Sequence, residues 1–389
     1  MEGFISKYYK ECKIITPNDG AHYFFGYYDM RATDGSGKHL CHRVPFEDRL
    51  PIETDVCEVG YLENGTFYKI GETTAWNFQQ GAMLQYHPFL KNTVYYNVCE
   101  NGKFMCVTHN YETGEKKYAE RATACVSPDG KWGLAVNFGR IYDFRPGYGY
   151  AGFEDSNRNV NAPTDDGVFL VDMESGKSRM LCSYAALAPI SGFDAEKAKL
   201  LVNHITFNTS SDRFVMLVRN FMTEYAPYWL TSMMVGDLEG NVHTVLPKTY
   251  VSHYFWTDAE HILAHCTVEG DKKSMYSVCV TDGSAVEYDM DYFGGSYNTD
   301  IHCNTSPDGA YIIGDGYPID GYRRLMAYSP SDGTERELFR ARTYTPSGGW
   351  DGRCDLHARF VDGGKHISFD TVHNGRREIA MISCDALDF

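Results

Sequence analysis

Several features that mark common protein classes are missing from this 389-residue sequence. Basic residues are in deficit, since 36 Lys and Arg stand against 52 Asp and Glu, a formal net charge of −16. This balance argues against a general nucleic-acid-binding protein, which needs a basic face to displace counterions. No apolar run approaches the ~20 residues that span a bilayer, so we expect no membrane association.

The 12 cysteines include no C-x-x-C pair, which argues against a zinc site of the usual spacing. The first residues show no basic stretch followed by an apolar one, so no secretory signal is expected. The cysteines are therefore interpreted as reduced, mostly buried thiols of a cytoplasmic protein. The G-x-S-x-G elbow of serine peptidases and the G-H…W-D signature of WD40 scaffolds are also missing.

Helical periodicity is rare, and only residues 194–201 are interpreted as a short helical turn. Aromatic residues and glycine are abundant instead, with 29 Tyr, 22 Phe, 5 Trp and 37 Gly. Such a composition favours strands and tight turns. A unit of apolar strand, Asp-Gly-like turn and second apolar strand recurs with 41 to 54 residues between turns, except for one gap of 83 residues. The seven turns are centred at positions 34, 88, 129, 212, 258, 308 and 362.

A second hairpin lies between most of these turns, for example at Asn64-Gly65 and at Asp332-Gly333. Two hairpins per unit make four strands, and four strands in ~40–55 residues make one propeller blade. The sequence therefore predicts an all-β protein, a seven-bladed β-propeller with four-stranded antiparallel blades around a central channel. We expect one domain over residues 1–389, an insertion loop at about 137–166, and ring closure by a strand at Lys13–Thr16.

Four of the 14 histidines precede the turns of successive blades, namely His204, His253, His302 and His357. The innermost strands of a propeller converge on its axis, so these equivalent positions are expected to form a ring at one mouth of the channel. Converging neutral imidazoles serve as metal ligands or as acid–base groups. His22, which precedes the first blade, is a further candidate for this ring.

Asp355 and His357 are two residues apart on an extended strand, so their side chains face the same side. Together with His302 they predict a mixed nitrogen and oxygen site for a divalent metal ion. Such a site suits Mn²⁺ or a similar ion, with Ca²⁺ or Zn²⁺ as alternatives. Asp355 has a second interpretation, in which it orients a histidine without binding the metal.

The insertion near 137–166 is rich in arginine and tyrosine, and four of its residues are candidates for contact with a ligand: Arg140, Arg145, Tyr148 and Tyr150. Aromatic rings stack on sugars and arginine binds carboxylates through two hydrogen bonds. Arg219 and Arg353 are further candidates for an anionic ligand, and Gln80 for sugar hydroxyls. The alternatives are a loop that covers a blade edge and, for Gln80, simple capping of a strand.

The stretches that carry the histidines resemble the cytoplasmic oligogalacturonate lyases, which are seven-bladed propellers that bind Mn²⁺. The resemblance lies mainly in residues 200–389, in the segments Asn203-His204-Ile205, Ser252–Trp256, Asp300-Ile301-His302 and Leu356–Phe360. It implies that His302 and His357 bind the metal and that His253 is the catalytic base. A further histidine of the family falls on Asp355, and its glutamine has no match near Gly352. These departures imply a sister family that acts on a different glycan.

The predicted function is a lyase that cleaves a uronic-acid-containing oligosaccharide by metal-assisted β-elimination. A neutral histidine, His253 or His204, removes the C5 proton, and Tyr148 is a candidate for the group that protonates the leaving oxygen. The expected partner is the acidic oligosaccharide, and the protein is expected to be a monomer or weak oligomer. The alternatives are a non-catalytic propeller that binds glycan or protein, a propeller glycoside hydrolase, and a lyase without metal.

Overall fold

The computed structural model describes residues 12–224, 227–288, 290, 300–344 and 349–387. Its 28 strands form seven antiparallel sheets of four strands each, and successive sheets follow one another along the chain. This is the predicted seven-bladed β-propeller. All seven predicted turns connect the first and second strands of their blades.

The strands are numbered in chain order. Blades one to three comprise β2–β5 (His22–Phe24, His39–Val44, Cys57–Glu63, Thr66–Thr73), β6–β9 (Gln85–Tyr86, Thr93–Glu100, Lys103–Asn110, Lys116–Tyr118) and β10–β13 (Cys125–Val126, Trp132–Ala135, Gly167–Asp172, Ser178–Ser183). Blades four to six comprise β14–β17 (Leu200–Phe207, Arg213–Asn220, Thr231–Asp237, Val242–Thr249), β18–β21 (Val251–Trp256, His261–Cys266, Ser274–Cys279, Ala285–Glu287) and β22–β25 (His302–Thr305, Ile312–Asp315, Tyr322–Ser329, Thr334–Arg342). Blade seven comprises β26–β28 (Arg359–Val361, His366–Thr371, Glu378–Ser383) and β1 (Lys13–Ile14).

The ring is closed by the N-terminal strand, as predicted. Strand β1 pairs antiparallel with β28, so that Lys13 lies opposite Met381 and Ile14 opposite Ala380. Blade seven therefore contains strands from both ends of the described chain. This pairing covers the outer edge of β28 and leaves the two-residue strand β1 as the edge of the blade, and a short edge strand is a poor template for aggregation.

The Ser-Pro-Asp-Gly turns show why the repeat is visible in the sequence. In blade three the Ser127 hydroxyl donates to Asp129 at 2.6 Å, and Asp129 also accepts the Lys131 N–H at 3.1 Å. Gly130 has a φ of +72°, which glycine adopts without strain. Blade six repeats the first of these contacts between Ser306 and Asp308 at 2.6 Å.

Two α-helices occur in the described part of the chain, α1 (Phe138–Phe144) and α2 (Tyr184–Ser191), together with three short 3₁₀ helices at Trp350–Gly352, Asp362–Gly364 and Cys384–Leu387. The prediction of a helical turn over 194–201 was wrong in its extent, since only a turn is formed there before β14 begins at Leu200. Both helices start at polar caps, Asn137 and Ser183, whose side chains accept a backbone N–H. With about two turns each, they are too short to show a helical period in the sequence.

Apolar side chains fill the spaces between adjacent blades, whereas the channel axis is polar. Six arginine side chains are among the largest fully buried ones, namely Arg140, Arg219, Arg323, Arg353, Arg359 and Arg377. Buried guanidinium groups need partners, and within the described residues five of these six arginines, all except Arg219, form an ion pair with an acidic side chain. Within the described residues, no helix is long and apolar enough to cross a membrane.

Candidate metal and acid–base centre

Four imidazoles from four successive blades meet at the channel axis. The ring centroids are 5.7 Å apart for His204 and His253, 4.1 Å for His253 and His302, and 4.5 Å for His302 and His357. His302 is fully buried and His357 is 2% exposed. Their equivalent positions in the blade repeat produce this arc, because each lies at or beside an innermost strand.

Two of these histidines have a backbone conformation that is rare for residues other than glycine. His204 has a φ of +50° and His357 a φ of +44°. At His204 the pairing of β14 with β15 skips one position, which turns the side chain out of the regular strand alternation. Strain of this kind is concentrated at functional sites, where the surrounding structure maintains it.

Tyr27 occupies the centre of the arc, and sequence reasoning missed it. Its ring lies 5.0, 6.5, 6.4 and 4.8 Å from the four imidazoles in chain order. Its hydroxyl is 3.2 Å from Nε2 of His204. The neighbouring Tyr28 donates to the Tyr254 carbonyl at 2.9 Å. The sequence-based interpretation took only His22 from the segment Ala21–Asp29. The run of aromatic residues from Tyr23 to Tyr28 was the signal that could have indicated Tyr27.

Three buried donor atoms converge in a manner that fits a metal ion. Ligand atoms of His302, Asp355 and His357 all lie within 4.8 Å of one another. His302 Nε2 and His357 Nε2 are buried and make no hydrogen bond to the described residues, whereas the buried Oδ2 of Asp355 forms an ion pair with Nη2 of Arg353 at 2.8 Å. Unpaired buried polar atoms are costly, and two histidines with one carboxylate are a common set for a divalent ion.

The remaining nitrogen of His302 is already oriented. His302 Nδ1 lies 3.2 Å from Oδ1 of Asp315, whose other oxygen accepts the Leu356 N–H at 2.9 Å. A carboxylate on one imidazole nitrogen fixes the tautomer and leaves the other nitrogen free to bind a metal. Asp315 belongs to β23 and was not predicted from the sequence.

Asp355 is held by two arginines. Arg353 contributes Nε at 3.0 Å and Nη2 at 2.8 Å, and Arg323 contacts the same carboxylate. Burial alone raises the pKa of Asp355, but the charges of Arg323 and Arg353 hold it well below its usual range. The carboxylate is therefore ionised, as a metal ligand must be.

His253 has the geometry of a base. Its Nδ1 is 2.8 Å from Oδ1 of Asp300, and Oδ2 of the same carboxylate accepts the Ser252 hydroxyl. Burial lowers the pKa of His253 to about 4, so the imidazole is neutral near pH 7. Nδ1 then carries the proton and Nε2 carries the free lone pair. Burial, followed by the charge of Arg219, lowers the pKa of His204 well below its usual value.

Part of the insertion lies over this centre. The Tyr148 ring is 5.5 Å from that of His204, and the Tyr148 hydroxyl accepts an N–H from Nη2 of Arg353 at 3.1 Å. Arg145 lies over the Tyr148 ring at 4.3 Å and its Nε is 3.6 Å from Asp351. The segment thus reaches from blade three to the residues that precede blade seven.

Three predicted ligand contacts lie elsewhere. Arg140 is fully buried, pairs with Asp155 at 2.7 Å and donates to four backbone carbonyls, so its guanidinium is occupied within the fold. Tyr150 stacks on Phe138 at 4.1 Å and accepts from Asn97 at 2.9 Å. His22 does not join the histidine ring, because it lies 3.4 Å from Glu47 at the start of blade one. These positions correct the sequence-based interpretation.

The amide-rich segment Asn77–Gln80, which connects blades one and two, contributes both to the fold and to the candidate site. Asn77 accepts the N–H groups of Gln79 and Gln80 at 3.0 and 2.7 Å, which is the capping role considered as the alternative. Gln79 donates to the Arg353 carbonyl at 2.8 Å. Gln80 borders a small void, about 20 Å³, that is also lined by Tyr27 and His204.

The same fold occurs in two oligogalacturonate lyases. One, in complex with manganese, has a TM-score of 0.67 at 14% identity over 96% of this chain and 92% of its own. The other, from Vibrio parahaemolyticus, has a TM-score of 0.66 at 13% identity over 96% and 93%. The β-propeller domain of the trilobed protease from Pyrococcus furiosus has a TM-score of 0.52 at 13% identity over 93% of both chains. No family model and no curated protein matches the sequence.

These similarities confirm the structural part of the resemblance to oligogalacturonate lyases. At 13–14% identity, they establish a shared propeller fold. Propellers of peptidases share the fold as well, so the function has to be argued from the residues of the centre.

Proposed function

We propose that this protein is a carbon–oxygen lyase that cleaves a uronic-acid-containing oligosaccharide by β-elimination. The observation that carries the proposal is the proximity of two groups. A neutral imidazole with an oriented lone pair, His253, lies beside three converging ligand atoms, one each on His302, Asp355 and His357, of which the two histidine nitrogens have no hydrogen-bond partner in the described residues. Removal of a proton next to a carboxylate requires a base and positive charge on that carboxylate.

A divalent ion held by His302, Asp355 and His357 would neutralise the substrate carboxylate and so make the adjacent C5 proton more acidic. Mn²⁺ is the favoured candidate, on the resemblance and on the mixed nitrogen and oxygen donors. Asp315 supports this arrangement by fixing the tautomer of His302. Arg323 and Arg353 already neutralise the Asp355 carboxylate, so the positive charge of a bound ion would remain available to the substrate carboxylate.

In the proposed reaction His253 Nε2 takes the C5 proton, and Asp300 stabilises the imidazolium that forms. The C4–O4 bond breaks, a C4–C5 double bond remains on the sugar, and O4 takes a proton from the Tyr148 hydroxyl. Arg353, which donates to that hydroxyl, stabilises the resulting phenolate. The imidazolium and the phenolate exchange the proton through solvent, so the enzyme returns to its starting state.

The arginines on Asp355 favour a second candidate, a lyase without metal. Two guanidinium groups already neutralise this carboxylate, and they compete with a metal ion for its oxygens. In that case, Arg323 and Arg353 would supply the positive charge.

The test of the proposal is a turnover assay. Uronate di- and trisaccharides are incubated with the protein, with and without added Mn²⁺, and the unsaturated product is followed by its near-ultraviolet absorbance. Product formation that is lost in His253→Ala supports the lyase. Absence of product from every uronide, with a folded protein, contradicts it.

A further inference from the structure

The ring of Trp229, which is partly buried, contacts two guanidinium groups. The guanidinium of Arg145 is 5.1 Å and that of Arg219 is 5.2 Å from the centre of the Trp229 ring. Trp229 itself packs on Phe144 of α1 at 5.4 Å. The two arginines come from different parts of the ring, since Arg145 belongs to the insertion and Arg219 to β15. The insertion and β15 therefore each place one positive charge beside the Trp229 ring.

The charge of this pair is only partly balanced. Arg219 donates to the Thr231 hydroxyl and to the Val251 and Ser252 carbonyls, which are neutral acceptors. In the described residues Arg145 has one acidic partner, Asp351 at 3.6 Å, and its guanidinium donates no hydrogen bond. Burial and then the charge of Arg145 lower the pKa of Arg219. An anion placed between the two groups would relieve this repulsion.

The pair lies directly outside the proposed reaction centre. Arg145 covers the Tyr148 ring at 4.3 Å, and that ring is 5.5 Å from His204. The side chain of Arg145 is 13% exposed, so it is reachable from the mouth, whereas the histidines are buried. A sugar next to the one that reacts would come to this position.

We infer that Arg145 and Arg219 form a second anion-binding subsite, which takes the carboxylate of the sugar adjacent to the one that is cleaved. Trp229 is the positioning residue that holds both guanidiniums. The inference rests on the proposed function for the kind of ligand, and it makes the substrate an oligosaccharide with acidic groups on two consecutive sugars. A glycan in which acidic and neutral sugars alternate would leave the subsite without its ligand.

Binding is measured by calorimetry in the His253→Ala background, so that turnover does not interfere. The probes are galacturonate, glucuronate and mannuronate, the corresponding diuronides, and each diuronide with one carboxylate converted to its methyl ester. We expect a diuronide to bind more tightly than its monouronide and its monoester. Arg145→Ala should weaken diuronide binding about 10–100-fold and leave monouronide binding unchanged, because one charge-assisted contact is lost.

The matched control is Arg43→Ala, which removes another arginine stacked on an aromatic ring, at 5.8 Å from Phe67 in blade one. It should not change either affinity. Equal binding of monouronide and diuronide overturns the subsite and leaves the proposed function intact. Weakening of both ligands to the same degree in Arg145→Ala also overturns it, since the arginine would then act on the first sugar. Absence of any uronide binding refutes both proposals.

Discussion

Nδ1 of His253 lies 2.8 Å from Oδ1 of Asp300, and both side chains are buried. This contact decides which nitrogen of His253 can act as a base. With Nδ1–H donated to the carboxylate, the lone pair of Nε2 is the one available to a substrate. Asp300 lies two residues before β22 of blade six, whereas His253 lies in β18 of blade five. Two adjacent blades therefore contribute to the base.

Replacement of Asp300 by asparagine should therefore impair turnover with little change in substrate binding. The amide no longer favours the productive tautomer or stabilises the imidazolium, and kcat should fall on the order of 10²–10⁴-fold. Steady-state kinetics on the best uronide checks this, with Asp308→Asn, an exposed turn carboxylate, as control. An unchanged kcat would remove His253 from the role of base.

The two tyrosines of the centre can be separated by a pair of conservative variants. Tyr148→Phe loses the hydroxyl that Arg353 contacts, and Tyr27→Phe loses the hydroxyl that contacts His204. If Tyr148 protonates O4, its variant should lose about 10²–10⁴-fold in kcat. Activity of Tyr148→Phe should recover on a substrate whose leaving group needs no proton. Recovery in Tyr27→Phe instead would transfer the role to Tyr27.

The three converging ligand atoms of His302, Asp355 and His357 predict the metal content of the protein. After incubation with Mn²⁺ and desalting, plasma mass spectrometry should find near one equivalent, and His302→Ala should remove it. Asp315→Asn should lower the affinity about 10–100-fold, because the carboxylate orients His302 from outside the coordination sphere. His261→Ala, at an exposed histidine paired with Asp258, is the control. Metal-free wild-type protein would favour the arginine-based alternative.

The sequence was informative where a local pattern repeats. The two Ser-Pro-Asp-Gly turns have side-chain to backbone bonds within five residues, and together with the five related turns they made the blade repeat predictable. The convergence of His204, His253, His302 and His357 followed from their register with those turns.

Other parts of the centre depend on contacts between distant segments, which leave no spacing in the sequence. Tyr27 meets His204 across 177 residues, and Arg353 meets Tyr148 across 205. The contacts of Arg140 were not predictable for the same reason, because its partners include the Leu200 carbonyl 60 residues away. Residue type alone does not distinguish an arginine that binds a ligand from one that anchors a loop.

Buried neutral histidines predict a loss of stability in mild acid. Burial lowers the pKa of His39 to about 3 and that of His42 to about 4, against about 6.5 in the unfolded chain. The unfolded state therefore binds more protons between pH 6.5 and 4, and the free energy of unfolding falls as the pH drops through this window. Each histidine contributes up to about 1.4 kcal/mol per pH unit. Urea denaturation at pH 7, 6 and 5 measures the trend, and His39→Gln should reduce its slope.

Arg140 provides a test that separates structural from ligand-binding arginines in the insertion. Its pair with Asp155, at 2.7 Å and fully buried, joins α1 to the following loop, and its other N–H groups bond to the carbonyls of Asn157, Val160, Asn161 and Leu200. Arg140→Met leaves the carboxylate of Asp155 buried without its cation, which should cost about 3–5 kcal/mol of unfolding free energy.

Arg145→Ala, five residues further along the same insertion, should change stability by less than about 1 kcal/mol, because its ion pair with Asp351 is long, at 3.6 Å, and the Asp351 side chain left behind is 22% exposed to solvent. Chemical denaturation of both variants gives the comparison. A small effect of Arg140→Met would return Arg140 to the candidates for ligand contact, since the insertion would then hold its shape without that guanidinium. A large effect in both variants would instead make the whole insertion a structural element, with Arg145 fixing it to Asp351.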